Sequence, residues 1–290
     1  MKYIYLVNRF QFHSQCEDVI RKLHKASAAL HRNYEILVSD SPESLKESLY
    51  QYQDKDYIIT AIGGDGAVNL LLKDLIATHN ILSFIPYGTG NDFFRTCRET
   101  LSDGIHEIDI IRINDRYFIN TACFGIDADI ANDERFIHNK FIPRPLRYHA
   151  GVLYHFLTYR GGKLLKVRHK KKTIEKQFMT IVAANGRYYG GGYKISPDTQ
   201  LNDGKMEIFL ADNVGRFSMA SMILSMKHAG HLKNPALKMG RTSKIHVSAQ
   251  EPVYANIDGE PLLSDHFDLE VIPGGIRMEY SQEFIQQFNG

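Results

Sequence analysis

The spacing of apolar residues divides the chain into two halves with different periods. In the first half, short apolar runs rich in β-branched residues predict buried strands at residues 3–7, 34–38, 56–62 and 82–85. Apolar residues recur at helical spacing between these runs, as Val68, Leu71, Leu72 and Leu75 do after the third run. Strands that alternate with helices predict a parallel sheet with helices on both faces, where ligands bind at the carboxyl edge.

The pattern changes near residue 106, after which strands predominate. Asn114-Asp115 joins two of them as a predicted hairpin. The predicted strands lie at residues 107–113, 117–120, 164–169, 174–184, 206–210, 245–249, 253–257, 267–272 and 276–280. Helices are predicted at residues 146–159, 216–228 and 282–288. We therefore expect an α/β domain over residues 1–120 and an antiparallel β-sandwich over residues 121–280, with residues 281–290 packing back on the first domain.

The third strand runs into a glycine-rich loop, Gly63-Gly64-Asp65-Gly66, which is followed directly by a helical pattern. Glycine lets the backbone approach a ligand closely, and a helix N-terminus favours phosphate. Asp65 would repel phosphate unless a cation lay between them, so the loop indicates Mg²⁺. A tight turn that only requires positive φ is the structural alternative. The loop is neither a Walker A motif nor a dinucleotide fingerprint, since Asn69 stands where the last glycine belongs.

A second loop of similar composition follows the fourth strand. It reads Gly88-Thr89-Gly90-Asn91-Asp92, and it falls at the same sheet edge as the first glycine loop. Asn8 and Ser39 end the first two strands at that edge. Two such loops on neighbouring strand ends are less expected by chance than one, so the sequence predicts a ligand site there.

Three stretches of the second half contain candidate chemistry, and each has a plain structural alternative. Residues 185–192 form a glycine-dense loop that could equally be a flexible connection. Asp203 precedes Gly204 in a turn that would usually be structural. Asp258 and Glu260 flank a glycine at a strand end, where one carboxylate could face a metal or phosphate while the other takes a proton. A solvated turn is favoured when this last motif is considered alone.

Basic residues cluster from Arg144 to Lys172, with aromatic residues between them. A nucleic-acid groove is one interpretation. An anionic bilayer surface is another, because each nearby basic residue contributes ~1 kcal/mol to binding. A solvated helix followed by a lysine-rich hairpin tip is the third.

Composition narrows the class of protein. The 290 residues are 43% hydrophobic and carry a net charge of +2, which indicates ordinary globular cores and no charge-driven partner. No apolar run approaches the ~20 residues of a membrane span, and the N-terminus does not resemble a signal peptide. Cys16, Cys97 and Cys123 form no CxxC pair, and the 13 histidines are scattered. We expect a soluble protein of a reducing cytosol.

The order of these motifs resembles the diacylglycerol kinase catalytic family, which includes bacterial soluble lipid kinases and the sphingosine and ceramide kinases. The resemblance covers nearly the whole chain. It implies an N-terminal nucleotide-binding domain like that of NAD kinases and phosphofructokinases, and a C-terminal β-sandwich that brings the lipid. It also implies ATP and Mg²⁺ as cofactors.

The resemblance implies roles for particular residues. Nucleotide binding falls to Asn8, Ser39, Gly63, Gly64, Asp65, Gly66, Asn69, Gly88, Thr89 and Asn91. Asp203 resembles the family's Mg²⁺ ligand, with backbone oxygens of Gln200 and Lys205 beside it, and Asp65 and Asp92 would join the ion through water. Glu260 resembles the proton acceptor, and Asp258 is the second choice.

The chain departs from the family pattern at three places. Ala67 replaces the usual Thr, Leu70 replaces the usual Glu, and Asn8-Arg9-Phe10-Gln11 replaces Asn-Pro-x-x-Gly. We expect an ATP-dependent lipid kinase that is cytoplasmic and peripherally bound to an anionic membrane, with no nucleic-acid partner and a homodimer left open. The alternatives are a non-catalytic lipid- or nucleotide-binding regulator, which the departures favour, and a kinase of NAD or a sugar phosphate.

Overall fold

The computed structural model describes residues 1–53, 55–76, 78–88, 91–137, 139 and 141–290. The chain forms two compact units. Unit 1 comprises Met1–Asp109 and Gly274–Gly290, and unit 2 comprises Ile110–Pro273. This division differs from the predicted one, since it falls inside two strands, Gly104–Ile113 and Glu260–Tyr280, rather than in loops. A hydrophobic pattern does not mark such a boundary, because the strand continues through it.

Unit 1 contains a parallel sheet. Its strands are β1 (Lys2–Asn8), β2 (Tyr34–Ser39), β3 (Tyr57–Gly63) and β4 (Ile81–Pro86). β1 pairs with both β2 and β3, and β3 pairs with β4, all in parallel. The end of the last strand lies beside β4, where Met278 pairs with Leu82. The predicted α/β fold with a parallel sheet is confirmed.

The helices of unit 1 connect these strands. They are α1 (Arg9–Phe12), α2 (Cys16–Ala29), α3 (Pro42–Tyr50), α4 (Asp65–Leu75), α5 (Asp92–Thr100) and, at the C-terminus, α10 (Gln282–Asn289). A capping box starts α3, in which Ser41 and Ser44 exchange side-chain and backbone hydrogen bonds. α10 packs against α2 and buries Phe284 and Phe288 in the same core as Tyr5. The C-terminal helix is therefore part of the core of unit 1.

A buried ion pair fixes the C-terminal segment within unit 1. Arg32 donates to Glu279 at 2.9 Å, and both side chains are less than a tenth exposed. The guanidinium lies 4.0 Å from the ring centroids of both Tyr3 and Phe284. Ser83 donates to the other oxygen of Glu279 at 2.6 Å. The carboxylate is thus fully engaged, as a buried charge must be.

Unit 2 is built from antiparallel strands. They are β5 (Gly104–Ile113), β6 (Arg116–Phe118), β7 (Thr121–Gly125), β8 (Lys163–His169), β9 (Lys172–Ala184), β10 (Tyr188–Tyr189), β11 (Tyr193–Lys194), β12 (Met206–Asp212), β13 (Leu237–Thr242), β14 (Lys244–Ile257) and β15 (Glu260–Tyr280). β9 and β14 each pair with β8 at one end and with β7 at the other. A large apolar cluster that includes Phe124, Phe178 and Phe267 fills the interior. The predicted β-sandwich is confirmed.

In the described part of unit 2, four α-helices accompany these strands. They are α6 (Ile126–Ala131), α7 (Glu134–Ile137), α8 (Arg144–Thr158) and α9 (Arg216–Ser225). The predicted hairpin at Asn114 is present, with Asn114 at φ 53°. β14 and β15 each join two runs that the sequence separated. β13 was not predicted, because an edge strand with polar and glycine residues lacks the apolar alternation of a buried one.

Candidate functional site

The first glycine loop of unit 1 has the predicted strand–turn–helix geometry. Gly63 ends β3 at φ 154°, and a Cβ there would lie 2.9 Å from the Ala67 Cβ and 3.0 Å from the Gln11 amide nitrogen. Gly64 is the N-cap of α4 and offers no side-chain cap to the first amides. The Ala67 amide donates to the Gly64 carbonyl at 3.0 Å, and no side chain caps the amides before it. A helix N-terminus of this kind favours an anion.

Open space lies above the loops at two glycines. A Cβ added to Gly66 would meet no atom within 4 Å, and the same is true at Gly88, whose φ is 117°. Both residues are exposed. A side chain at either position would occupy the space that a close-lying ligand needs, so the two glycines fit a bound nucleotide.

Two asparagines at this sheet edge have buried acceptors. The Oδ1 atoms of Asn8 and Asn91 have no hydrogen-bond partner within the part of the chain that the structure describes. The amide nitrogen of Asn91 donates to the Gly88 carbonyl at 2.9 Å, which fixes the orientation of that side chain. A buried acceptor without a partner is costly. A ligand hydroxyl group or bound water would satisfy both acceptors.

The remaining nucleotide candidates have different surroundings. Ser39 is buried, and its hydroxyl group contacts the Ser41 carbonyl at 2.6 Å and the Ser44 hydroxyl group at 2.7 Å. It thus takes part in the start of α3. Asn69 lies partly buried in the first turns of α4. Thr89 lies outside the described residues.

Asp65 links two helix N-termini within unit 1. One carboxylate oxygen accepts from the Asp92 amide at 2.8 Å, and the other accepts from the Phe93 amide at 3.1 Å. These two amides open α5, so Asp65 acts as a cap for a helix 27 residues away. Asp92 itself is buried, and Arg95 lies 3.7 Å from its carboxylate. Asp65 and Asp92, two of the three carboxylates predicted for the metal, therefore have protein partners.

The turn that contains Asp203 is paired with a cation from β13. Arg241 forms an ion pair with Asp203 and lies 3.0 Å from the Glu207 carboxylate. The other oxygen of Asp203 accepts from the Lys205 amide at 3.0 Å, and Gln200 is exposed. Burial raises the pKa of Glu207. Among the described residues, no three His, Cys, Asp or Glu side chains are grouped to hold a metal ion.

The Asp-Gly-Glu motif forms the hairpin turn between β14 and β15. Asp258 and Gly259 have φ values of 48° and 93°, and Ile257 pairs with Glu260. Two successive positive φ values are typical of the two-residue hairpin turn that Asp-Gly favours. Glu260 is exposed at the start of β15. The motif is thus a turn that presents Glu260 to solvent.

Asp258 is held by backbone donors of the segment before β7. Its carboxylate accepts from the amides of Ile119 at 2.8 Å and Thr121 at 2.7 Å, and it also accepts from Asn120. Burial raises the pKa of Asp258 to about 6, although these hydrogen bonds lower it, and repulsion from Glu260 raises it further. Asp258 therefore anchors the turn from which Glu260 projects.

Two asparagines that the sequence did not single out complete this network. The Asn120 carbonyl accepts from the amides of Asn185 at 2.8 Å and Gly186 at 2.9 Å. The Asn185 side chain donates to the Ile119 carbonyl at 2.8 Å, and that of Asn120 donates to the Tyr188 carbonyl at 3.0 Å. The buried Asn120 Oδ1 has no partner among the described residues. The only sequence signal was the glycine-dense loop that begins at Asn185.

Some of the basic residues between Arg144 and Lys172 form ion pairs with acidic side chains of unit 2. This basic segment forms α8, β8 and the turn into β9. Lys163 pairs with Asp129 at 2.6 Å, and Lys166 pairs with Glu175 at 3.4 Å. No helix within the described part of the chain is both long and apolar enough to cross a membrane.

Comparisons with known proteins assign most of the chain to two domain families. The family described as diacylglycerol kinase catalytic domain matches residues 2–117. The family described as YegS C-terminal NAD kinase beta sandwich-like domain matches residues 120–279. These matches agree with the α/β and β-sandwich architecture found here.

Individual relatives have low sequence identity to this chain, but they match most of its length. A diacylglycerol kinase of Bacillus subtilis is 24% identical over 270 residues, which cover 86% of this chain and 85% of that protein. A protein of Pectobacterium atrosepticum named probable lipid kinase YegS-like is 25% identical, covering 90% of each chain. A solved diacylglycerol kinase structure from Bacillus anthracis superposes with a TM-score of 0.71 at 19% identity, covering 97% of both chains, and so shares the fold.

Proposed function

Because the chain belongs to the diacylglycerol kinase catalytic family and carries its YegS-type C-terminal domain, we propose that it transfers the γ-phosphoryl group of ATP to a hydroxyl group of a membrane lipid such as diacylglycerol. The observation that carries this proposal is the uncapped start of α4 beneath open space at Gly66. Phosphoryl transfer depends mainly on positioning and on charge stabilisation, which such a cradle supplies.

Within the proposed site, unit 1 binds the nucleotide. The amides at the start of α4 donate to phosphate oxygens, and the partial positive charge of the helix N-terminus favours them. The buried Oδ1 atoms of Asn8 and Asn91 accept from ligand hydroxyl groups or ordered water. Gly88 allows the nucleotide to approach the second loop without a side chain in the way.

Mg²⁺ is proposed to arrive with the nucleotide rather than to occupy a site made by protein alone. Asp65 caps α5 and Asp203 is paired with Arg241, so each already has a partner. Carboxylate oxygens remain suitable Mg²⁺ ligands together with substrate phosphates. Asp65 and Asp92 of unit 1 would hold the ion, which would offset phosphate charge, and Asp203 of unit 2 stays a separate prediction.

Glu260 is the proposed proton acceptor. The lipid oxygen forms a bond to the γ-phosphorus while the bond to the β-phosphate oxygen breaks, and ADP leaves. The hydroxyl proton passes to the Glu260 carboxylate. Asp258 is less suited to this role, because its carboxylate accepts from three backbone amides and holds the turn.

The proposal is tested by measuring radiolabelled phosphate transfer from ATP to lipid in mixed vesicles, across a panel of diacylglycerol and other hydroxyl-bearing lipids. Glu260→Gln should lower kcat by at least about 100-fold, which is the usual lower limit for general-base catalysis. Glu251→Gln changes a different exposed glutamate, which lies on β14, and should leave kcat within twofold of the wild-type value. A Glu260→Gln enzyme with full kcat would refute the assignment.

An exposed apolar surface supports the proposed contact with a bilayer. Leu146, Leu153 and Leu157 are 54–58% exposed, and their spacing places them on one face of α8. Phe217 and Leu224 are 88% and 69% exposed on α9, which packs against α8. Monomeric proteins rarely expose contiguous apolar patches beyond a few hundred Å². We call these five residues the apolar face.

Vesicle sedimentation measures separately how the apolar face and the lysines of the turn between β8 and β9 contribute to membrane binding. Leu153→Ser/Leu157→Ser should reduce binding to anionic vesicles at least tenfold, since each buried leucine contributes ~1.5–3 kcal/mol. Lys170→Glu/Lys171→Glu should reduce binding to anionic vesicles and leave binding to neutral ones unchanged. Unchanged binding of both variants to anionic vesicles would exclude a membrane role for this segment.

A non-catalytic regulator is the second candidate. Ala67 removes the usual hydroxyl group of the family loop, and the altered first loop places the Gln11 amide nitrogen 3.0 Å from where a Cβ on Gly63 would lie. These departures favour weak or absent transfer. Nucleotide binding without transfer to any lipid of the panel would establish this candidate and exclude the kinase.

A further inference from the structure

A cavity of about 150 Å³ opens into the core of unit 2. It lies between the end of the β8–β9 hairpin and the β12–β13 pair. Its walls are the aliphatic side chains of Val167, Ile174, Ile208, Leu210 and Ile245. Three of these, Val167, Ile208 and Ile245, belong to the main buried cluster of the unit. The cavity is open to solvent on one side, so an alkyl chain can enter it from outside.

β13 has an exposed glycine, Gly240, on the face of the sheet that lines the cavity. Gly240 pairs with Ile208 and Lys238 pairs with Leu210, and directly paired residues point to the same face of a sheet. A Cβ on Gly240 would meet no atom within 4 Å. The space that a side chain at this position would fill is therefore part of the cavity.

The rim of the cavity is cationic. His169, Lys172, Lys238 and Arg241 line it, and no Asp or Glu is among its lining residues. Arg241 is already paired with Asp203 and Glu207. Within the described residues, the structure shows no ion pair for Lys172 or Lys238. An apolar cavity below two unpaired ammonium groups matches a ligand with an alkyl tail and an anionic head.

We propose that this cavity binds a single-chain anionic amphiphile, namely an alkyl chain that ends in a carboxylate or a phosphate. The end of the chain lies against Ile208 and Ile245, and the head lies between Lys172 and Lys238. One narrow cavity accommodates one chain, which excludes a two-chain lipid whose tails enter together. The site uses residues of unit 2 alone.

Isothermal titration of the full chain tests the ligand class. The probes are decanoate and decyl phosphate, below their micelle-forming concentrations, with decyltrimethylammonium and inorganic phosphate as controls. Saturable one-to-one binding of at least one anionic probe is expected, and the tighter of the two identifies the head group. The controls should bind at least tenfold more weakly. Equal binding of decyltrimethylammonium, or of inorganic phosphate, would overturn the proposal.

Two variants locate the site. Gly240→Leu should fill the cavity, raise the melting temperature and weaken binding of the anionic probe at least tenfold. Gly215→Leu is the matched control, because a Cβ there also meets no atom within 4 Å and Gly215 lies outside the cavity lining.

Lys172→Glu/Lys238→Glu changes exposed side chains and so keeps the test valid if Gly240→Leu does not fold. This double variant should weaken binding of the anionic probe at least tenfold. Wild-type affinity in either folded variant would overturn the proposal.

Discussion

Asp65 offers a direct test of whether a site residue also holds the fold. In unit 1 its two oxygens accept from the Asp92 and Phe93 amides at 2.8 and 3.1 Å. Replacing Asp65 with alanine removes both acceptors. The first amides of α5 then lose their cap, and water must replace it.

The expected cost follows from the two hydrogen bonds. Loss of a helix N-cap costs ~0.5–2 kcal/mol, and a hydrogen bond to a charged group contributes ~1.5–3 kcal/mol. We take about 2 kcal/mol for Asp65→Ala, a value that lies within both ranges. That value corresponds to roughly a 30-fold change in the local opening equilibrium. Asp65→Asn keeps one acceptor and should cost about half as much.

Hydrogen exchange of the ligand-free protein, followed by mass spectrometry on the α5 peptide, measures this effect. The Asp65→Ala variant should exchange its α5 amides about 30-fold faster than wild type. Glu47→Ala, which changes an exposed residue on α3, should not alter exchange in α5. If α5 protection in Asp65→Ala equals that of wild type, Asp65 is not a cap, and its carboxylate is positioned for ligand alone.

Three further predictions concern stability, each measured by urea unfolding. The folded pKa of Asp258 is raised from 3.8 to about 6, so the folded state binds more protons between these values. The free energy of unfolding should therefore fall as pH rises from about 4 to 6, by at most about 3 kcal/mol and by less with solvent screening. Asp258→Asn should abolish this pH dependence. If the variant keeps the same pH dependence as wild type, the assignment to Asp258 is wrong. Arg32→Met should cost ~3–5 kcal/mol by leaving Glu279 buried without its cation, and Arg32→Met/Glu279→Met should recover most of the loss. Gly125→Ala should cost at least about 2 kcal/mol, because φ is 93° and the new Cβ would lie 2.5 Å from the Met179 carbonyl oxygen; a smaller loss would show that the backbone can shift.

Local patterns were sufficient to predict the elements that position the site. The apolar run before Gly63 and the helical spacing after it gave β3, the glycine turn and α4 in the order found. The fold class followed from the change of period near residue 106.

The partners of the site residues could not be predicted, because they are distant along the chain. Asp258 contacts amides 137–139 residues earlier, and Asp203 pairs with a cation 38 residues later. Only the strand order brings these groups together. The Ser39 hydroxyl group contacts Ser41 and Ser44, and its predicted role in ligand binding stays a prediction. The roles predicted for Glu260 and for the metal ligands stay predictions.

The composition of unit 1 has a consequence for synthesis. Gly274–Gly290 contributes the strand beside β4 and the aromatic side chains that cover Tyr5. A ribosome translating roughly 5–20 residues per second needs on the order of ten to thirty seconds to add Ile110–Pro273. During that interval the nascent part of unit 1 exposes an incomplete apolar surface, which makes it a client for chaperones until α10 is synthesised.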